Sequence, residues 1–271
     1  MLIQSRVNEI LQLKAKRLRP NTLQQLTKKL VSFTNQLAVR GITDSEKITM
    51  ADVLALIDQF PDGDITRVLR TRTLRFFLKR MHRLDLVSEL EMPSLTKEGK
   101  ARRKPRPYTD AEIKEFCAVA RPRVELFFRT SIATGLSVRD LVQLRPENLR
   151  DGCIRTHRQK TGKEVVVPIG RSLYEQLRVA LPFYAGDPVS GVSVWSVQVR
   201  VTAQKAGIWI RGANVHRGRD TFVEKQIAAG VPLGVVAARM GDNITTLQTH
   251  YSDLLSPRLL ELNMSAPCVE V

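Results

Sequence analysis

The chain is poor in the residues that build cross-links and metal sites. It has three cysteines, Cys117, Cys153 and Cys268, and four histidines among 271 residues. An odd number of widely spaced cysteines makes neither a disulfide framework nor a zinc site, and it suits a reducing compartment. No apolar run reaches the roughly 18 residues that a membrane-spanning helix needs. The opening stretch, MLIQSRVNEILQLKAKR, is broken by charge too early to form the apolar centre of a signal peptide. No helix sets a Lys/Arg face against an exposed Trp/Phe face, so attachment to a membrane surface is not expected either.

Acidic residues are also in deficit. Against 43 Lys and Arg there are 27 Asp and Glu, a net charge of +16. The surplus is 11 over residues 1–107 and 5 over the remainder, so both parts are basic and the first more so. A field of this sign draws polyanions, because each phosphate neutralised releases condensed counterions. Basicity that serves only solubility is the plainer alternative. A hydrophobic content of 43% and a charged content of 26% are ordinary for a soluble globular protein, and the length suits two domains.

What is present is mostly helical pattern. In NTLQQLTKKLVSFTNQLA, Leu23, Leu26, Leu30, Phe33 and Leu37 recur at spacings of three and four, entered after Pro20 and stopped at Gly41. Thr49 and Asp52 have the spacing of a capping box, followed by an apolar face of Val53, Leu54, Ile57 and Phe60. A third helix is predicted over 65–84 with Leu69, Phe76, Phe77, Met81 and Leu84 inward. Its other face carries Arg67, Arg70, Arg75, Lys79 and Arg83, which reads as a phosphate-tracking surface or as a solvated face. The boundary falls in KEGKARRKPRP, residues 97–107, where basic residues crowd around two helix-barring prolines. Arg102, Arg103 and Lys104 there are candidate phosphate contacts, with a solvated linker as the alternative.

After the boundary, Thr109 and Glu112 repeat the capping-box spacing, and a helix through 124–133 stops at Gly135. SVRDLVQL reads as a short helix ended by Pro146. CIRT and EVVVPI flank HRQKTGK, a β-hairpin with Thr161-Gly162 at its turn. Helices are predicted near 172–181, 194–205, 219–229 and 232–240, with Gly230 and Gly241 as terminators. The expected fold class is mainly α: a helical (SAM-like) domain over 1–96, a basic linker over 97–107, and an α-rich domain with a small β-hairpin or sheet over 108–271.

Phosphoryl transfer is a chemistry that Tyr, His, Arg and Lys can perform without metal ligands. It needs a nucleophile, cations on the non-bridging oxygens and an acid for the leaving oxygen. Tyr251 is a candidate nucleophile, and surrounding cations would favour its anionic form. His216 and Arg219, three apart, share a helix face and can converge on one phosphate, where the arginine fork makes paired bonds. Lys160 at the hairpin tip is a mobile proton donor. Taken singly, an HxxR pair also reads as surface decoration and a tyrosine in a late helix as packing.

Together these stretches carry a resemblance. ATGLSVRDLVQL, QKTGKEVVVPI, VHRGRDTF, GVPLGVVAARMGD and THY occur in the order seen in the tyrosine recombinases, the phage-integrase family. Residues 109–251 resemble its catalytic domain and roughly 20–95 its helical core-binding domain. The resemblance implies Tyr251 as nucleophile, forming a 3′-phosphotyrosyl bond to DNA and freeing a 5′-hydroxyl, with Lys160 as general acid and His216 and Arg219 on the phosphate. It implies double-stranded DNA as partner, a homotetramer on two DNA sites, room for an accessory DNA-bending protein, and neither metal, ATP nor other cofactor. It also implies a cytoplasmic, nucleoid-associated location and a role in DNA integration or transposition.

Two positions depart from the family pattern. Its first arginine usually follows TGL directly, where this chain has Ser137; Arg139 is the expected replacement, with an outward surface arginine as the alternative. Asp242 stands where the family usually has His or Trp. A carboxylate there would repel a phosphate unless paired or turned away, or it orients a cation such as His216 or Arg219. Asp220 reads as a supporting or structural acid, and His250 as a bystander beside the nucleophile. Leu259, Leu260, Leu262 and Met264 in the tail would dock on a neighbouring subunit or on their own domain. The departures leave an alternative function, a DNA-binding relative impaired in cleavage and acting as a regulator. A type IB topoisomerase, with similar chemistry, is less expected without a large extra N-terminal domain.

Overall fold

A computed structural model describes residues 1–61, 64–94, 96, 106–210 and 216–252. The chain divides into two compact units, Met1–Arg103 and Lys104–Val271. Arg102, Arg103, Lys104 and the tail leucines lie outside the described residues.

The first unit is helical. α1 (Ile3–Ala15) was not anticipated, although Ile3, Val7 and Ile10 have helical spacing and are all buried. α2 (Pro20–Val39) begins with Pro20 in its first turn, where a missing N–H costs nothing, and buries Leu30, Phe33 and Leu37 fully. α3 (Met50–Ala55) opens with the predicted Thr49–Asp52 capping box. It buries Val53, and Leu56 and Ile57 follow into the core, whereas Leu54, expected inward, is 41% exposed. α4 (Ile65–Arg80) ends four residues short of the helix predicted over 65–84, and a separate short helix, α5 (Leu84–Glu89), follows. The break is at His82, whose φ of 59° is left-handed and cannot continue the helix. The inward residues of α4 are Val68, Thr71, Leu74, Phe77 and Leu78, while Leu69 and Leu84 face out. Phe33 and Phe77 meet at 5.8 Å in the centre of this core.

The arginines of α4 correct a second expectation. Arg70 donates from Nε to the Leu56 carbonyl (3.0 Å) and from Nη2 to Ser32 (3.2 Å), and its guanidinium lies 4.9 Å from the ring centres of both Phe33 and Phe60. Arg67 donates to the Phe60 carbonyl at 2.8 Å, and Arg75 to the Leu90 carbonyl. From the loop after α4, Arg83 donates to the Ser45 and Ile48 carbonyls at 2.9 and 2.6 Å. These side chains satisfy carbonyls near helix ends and loops of their own unit, a structural role that differs from a freely solvated face; Lys79 is exposed. Arg70→Gln is therefore expected to lower unfolding stability by about 1–3 kcal/mol, from lost carbonyl and ring contacts. The salt dependence of DNA binding should stay the same, and a flattened salt slope would return Arg70 to the phosphate surface.

In the second unit, α6 (Asp110–Val119) starts at the predicted Thr109–Glu112 capping box. α7 (Pro122–Thr134) ends at Gly135, whose φ of 63° closes the helix in the left-handed conformation. α8 (Val138–Val142) is capped by Ser137 and Asp140. A three-stranded antiparallel sheet follows in the order β1 (Leu149–Arg150), β2 (Cys153–His157), β3 (Glu164–Pro168), with His157 paired to Glu164 next to the turn. Ile154, Val165 and Val167 point into the core and Val166 points out, as period-two alternation requires. α9 (Arg171–Ala180) and α12 (Leu233–Met240) match the predicted helices to a residue, α10 (Pro188–Lys205) starts six residues and α11 (His216–Ala228) three residues earlier than predicted, and residues 244–252 are helical. Phe127 stacks on Trp195 at 4.2 Å, with Phe183 edge-on to both. α7 and α11 pack so closely that a Cβ on Gly218 would sit 2.1 Å from the Ser131 hydroxyl.

Candidate active site

α11 supplies the centre of the site. His216, Arg219 and Asp220 stand at i, i+3 and i+4, which places them on one helical face. His216 is exposed, Arg219 is buried and Asp220 is half-buried. Arg219 donates from Nη1 to the Gly135 carbonyl at 2.7 Å and from Nη2 to the Asp242 carboxylate. Its fork is thus aimed by the end of α7 on one side and by the loop after α12 on the other. Gly241, with a φ of 63°, ends α12 and turns the chain so that Asp242 faces Arg219. Of the roles open to Asp242, the structure shows pairing with Arg219.

Tyr251 is 7% exposed, and its hydroxyl donates to Asp220 Oδ1 at 3.0 Å. Asp220 Oδ2 accepts the backbone N–H of Arg106, also at 3.0 Å. This corrects the expectation that surrounding cations favour the phenolate. Burial raises the Tyr251 pKa well above the usual tyrosine range, the Asp220 charge raises it further, and Arg219 opposes both.

The hairpin meets the same region. Arg158, at the end of β2, is buried to 7% exposure and lies 3.3 Å from the Asp140 carboxylate, itself 2% exposed. That contact lacks hydrogen-bond alignment, and Arg158 Nε and Nη1 have no hydrogen-bond partner among the described residues. Burial draws the Arg158 guanidinium below the usual arginine range, as does repulsion from Arg219, while Asp140 and Asp242 oppose. Asp140 also accepts the Gln159 N–H (2.9 Å) and the Ser137 hydroxyl (2.6 Å), tying the hairpin tip to the start of α8. The Arg158 stem crosses Gly241 so closely that a Cβ there would lie 2.4 Å from Arg158 Cγ. Lys163 Nζ reaches the Asp242 carbonyl at 3.5 Å. Lys160 is exposed at the tip.

Arg139 is exposed on α8, on the opposite side from buried Asp140 and Leu141. No hydrogen bond or ion pair joins its side chain to Arg219, Asp242 or Tyr251 among the described residues. Arg217, between His216 and Arg219, has a structural position. It is 3% exposed, makes two bonds to Glu112 (2.7 and 2.6 Å), donates to the Arg106, Pro107 and Ile208 carbonyls, and lies 3.9 Å from the Tyr108 ring centre. Burial pushes the Tyr108 phenol up to about 12, so it stays neutral under this cation.

The site therefore brings together Arg219, Asp242, Asp220 and Tyr251, with the turn end of the hairpin, at Arg158 and Lys163, joined to the Gly241–Asp242 turn. Asp140, Arg158 and the Tyr251 contact of Asp220 were missed from sequence. Their signals were present: a Ser-x-x-Asp cap at 137–140, an arginine two residues before Lys160, and an acid four residues after His216. Among the described residues no group of three or more His, Cys, Asp or Glu is placed to hold a metal ion, and no helix is long and apolar enough to cross a membrane.

No family model matches the chain, and no curated protein does. Solved structures do. A lambda integrase dimer bound to a COC′ core site superimposes with a TM-score of 0.72 at 17% identity, covering all of both chains. A lambda integrase tetramer bound to a Holliday junction gives 0.72 at 15% identity, over 100% of this chain and 80% of that one. The Tn1549 transposon integrase in complex with a circular intermediate DNA gives 0.66 at 14% identity, over 97% and 100%. Agreement over the whole length at such low identity is agreement of backbone, and the chain has the tyrosine-recombinase fold.

Proposed function

We propose that the chain is a site-specific DNA recombinase or integrase that cuts and rejoins DNA through a 3′-phosphotyrosyl intermediate. The observation that carries this reading is the placement of Tyr251 beside the Arg219 face of α11 in one half-buried cluster. DNA binding alone has no use for a tyrosine hydroxyl set beside an aimed guanidinium. Arg219 and His216 would hold the non-bridging oxygens, Lys160 would protonate the departing 5′-oxygen, and Tyr251 would attack phosphorus. Energy is conserved in the phosphotyrosyl bond, so the step needs neither ATP nor metal. Asp242 would orient Arg219 and yield to the phosphate on binding.

On this reading residues 1–96 bind DNA, 97–107 form a basic linker in which Arg102, Arg103 and Lys104 track phosphates, and 108–271 transfer strands. Double-stranded DNA is the partner, and a homotetramer on two sites is the working assembly. The solved structures of the same fold support this, since lambda integrase is bound to a core site as a dimer and to a Holliday junction as a tetramer.

The test uses nicked duplexes, tiled across the DNA flanking this chain's gene, incubated without added metal and run on denaturing gels. The unaltered protein is expected to stay attached to a labelled 3′ strand, and Tyr251→Phe is not. Tight binding with no Tyr251-dependent adduct would leave a DNA-binding regulator instead.

A further inference from the structure

We infer that Asp220 is the general base that receives the Tyr251 proton, an inference that rests on the strand-transfer reading above. Among the described residues, Asp220 is the acceptor to which the Tyr251 hydroxyl donates, at 3.0 Å. The other candidates are placed elsewhere. Asp242 is paired with Arg219, and His216 is exposed and shares no hydrogen bond with Tyr251 among the described residues. Asp220 is also fixed from behind, because Oδ2 accepts the Arg106 N–H at 3.0 Å and leaves Oδ1 for the phenol. A base must lie within about 2.6–3.2 Å of the proton it takes, and this one does so before any DNA arrives.

The contact holds the phenol neutral in the free protein, which is what a base does before reaction. A carboxylate of low basicity still serves a reluctant hydroxyl when the proton moves only as the new bond forms, as the catalytic-loop Asp of protein kinases does. The step balances. Tyr251 Oη forms a bond to phosphorus and its proton passes to Asp220 Oδ1. The bond from phosphorus to the 5′-oxygen breaks, and that oxygen takes a proton from Lys160. Asp220 and Lys160 end neutral, and religation by a 5′-hydroxyl returns both protons. Arg219, one residue from Asp220, supplies the positive charge that lets a carboxylate approach a phosphodiester.

The placement of Asp220 explains the position of Arg106 as well. This residue, near the end of the 97–107 linker, uses its own backbone to orient the base.

The experiment measures single-turnover adduct formation on the nicked duplex for Asp220→Asn, Asp220→Ala and Lys160→Ala. Each is measured with an ordinary phosphodiester and with sulfur in place of the bridging 5′-oxygen. A 5′-thiolate leaves without an acid but does nothing for the nucleophile. Both Asp220 variants are expected to bind the duplex normally and to form adduct roughly 10²-fold or more slowly, the usual contribution of a general base. Sulfur should restore Lys160→Ala and leave the Asp220 variants slow, and sodium formate should speed Asp220→Ala but not Tyr251→Phe. Adduct from Asp220→Asn at the unaltered rate or faster would make the contact a brake and overturn the inference alone. Restoration of Asp220→Asn by sulfur, or no response of Asp220→Ala to formate, would also overturn it. No Tyr251-dependent adduct from the unaltered protein would remove the underlying reading, and this inference with it.

Discussion

Arg219→Gln is expected to slow Tyr251-dependent cleavage by ~10²–10³-fold, the usual effect of removing one donor from a preorganised anion site. Affinity for uncut DNA should change only a few-fold. Arg219 is held from two sides, by the Gly135 carbonyl and by Asp242, so its fork is oriented before substrate binds. Glutamine reaches neither partner with the same geometry and carries no charge. Arg219→Lys keeps the charge but has no planar fork, and it should recover only a small part of the rate. Single-turnover rates and filter binding on the same duplex separate the two quantities. A loss of less than tenfold in rate, or a loss matched by weaker binding, would remove Arg219 from transition-state stabilisation.

The largest stability effect is expected at Asp140. Its carboxylate is buried with Arg158 as its cation, and it also accepts from Ser137 and from the Gln159 backbone. Asp140→Ala leaves Arg158 buried with only the Asp242 charge to attract it, and its Nε and Nη1 have no hydrogen-bond partner among the described residues. Loss of one partner of a buried pair typically costs about 3–5 kcal/mol. Adding Arg158→Met to Asp140→Ala should recover part of that loss, because the remaining charge is then gone. Urea denaturation of the four proteins in this cycle measures the coupling. A cost below about 1 kcal/mol for Asp140→Ala would show that the buried pair does not hold the hairpin to α8. Release of the tip would also free Lys160 from its position relative to Arg219, so cleavage should fall even where the fold survives.

Most of the fold was legible because its signals are local. The stripe on α2, the capping boxes at Thr49 and Thr109, the glycine stops at 135, 230 and 241 and the hairpin around Thr161-Gly162 each depend on a few neighbouring residues. The misreadings arose where distant partners decide. The arginines of α4 look like a basic face in one dimension, but the carbonyls of Leu56, Phe60 and Leu90 are brought to them only by tertiary packing. The helix expected over 65–84 failed at His82, a non-glycine residue in a left-handed conformation that composition does not announce. α1 carries a weaker local signal, since no side chain caps its start and charges interrupt its apolar spacing, although Ile3, Val7 and Ile10 mark its buried face.

The site divides in the same way. The shared helix face of His216 and Arg219 was readable from their spacing, and the structure has it. The state of the tyrosine was not, since its burial and its bond to Asp220 join residues 31 apart in sequence. Arg158 was hidden by its ordinary place in a basic turn. Its significance comes from burial beside Asp140 and Gly241.

Gly135 meets three demands at once. Its backbone is left-handed at φ 63°, a Cβ would lie 2.6 Å from the Phe222 ring, and its carbonyl fixes Arg219. A residue under one such demand can drift if a neighbour adjusts, but no single neighbour relieves all three. Any side chain at this position would strain the backbone, crowd Phe222 and disturb the carbonyl that orients Arg219 together. The aim of the Arg219 fork thus depends on how a helix 84 residues earlier in the chain comes to its end.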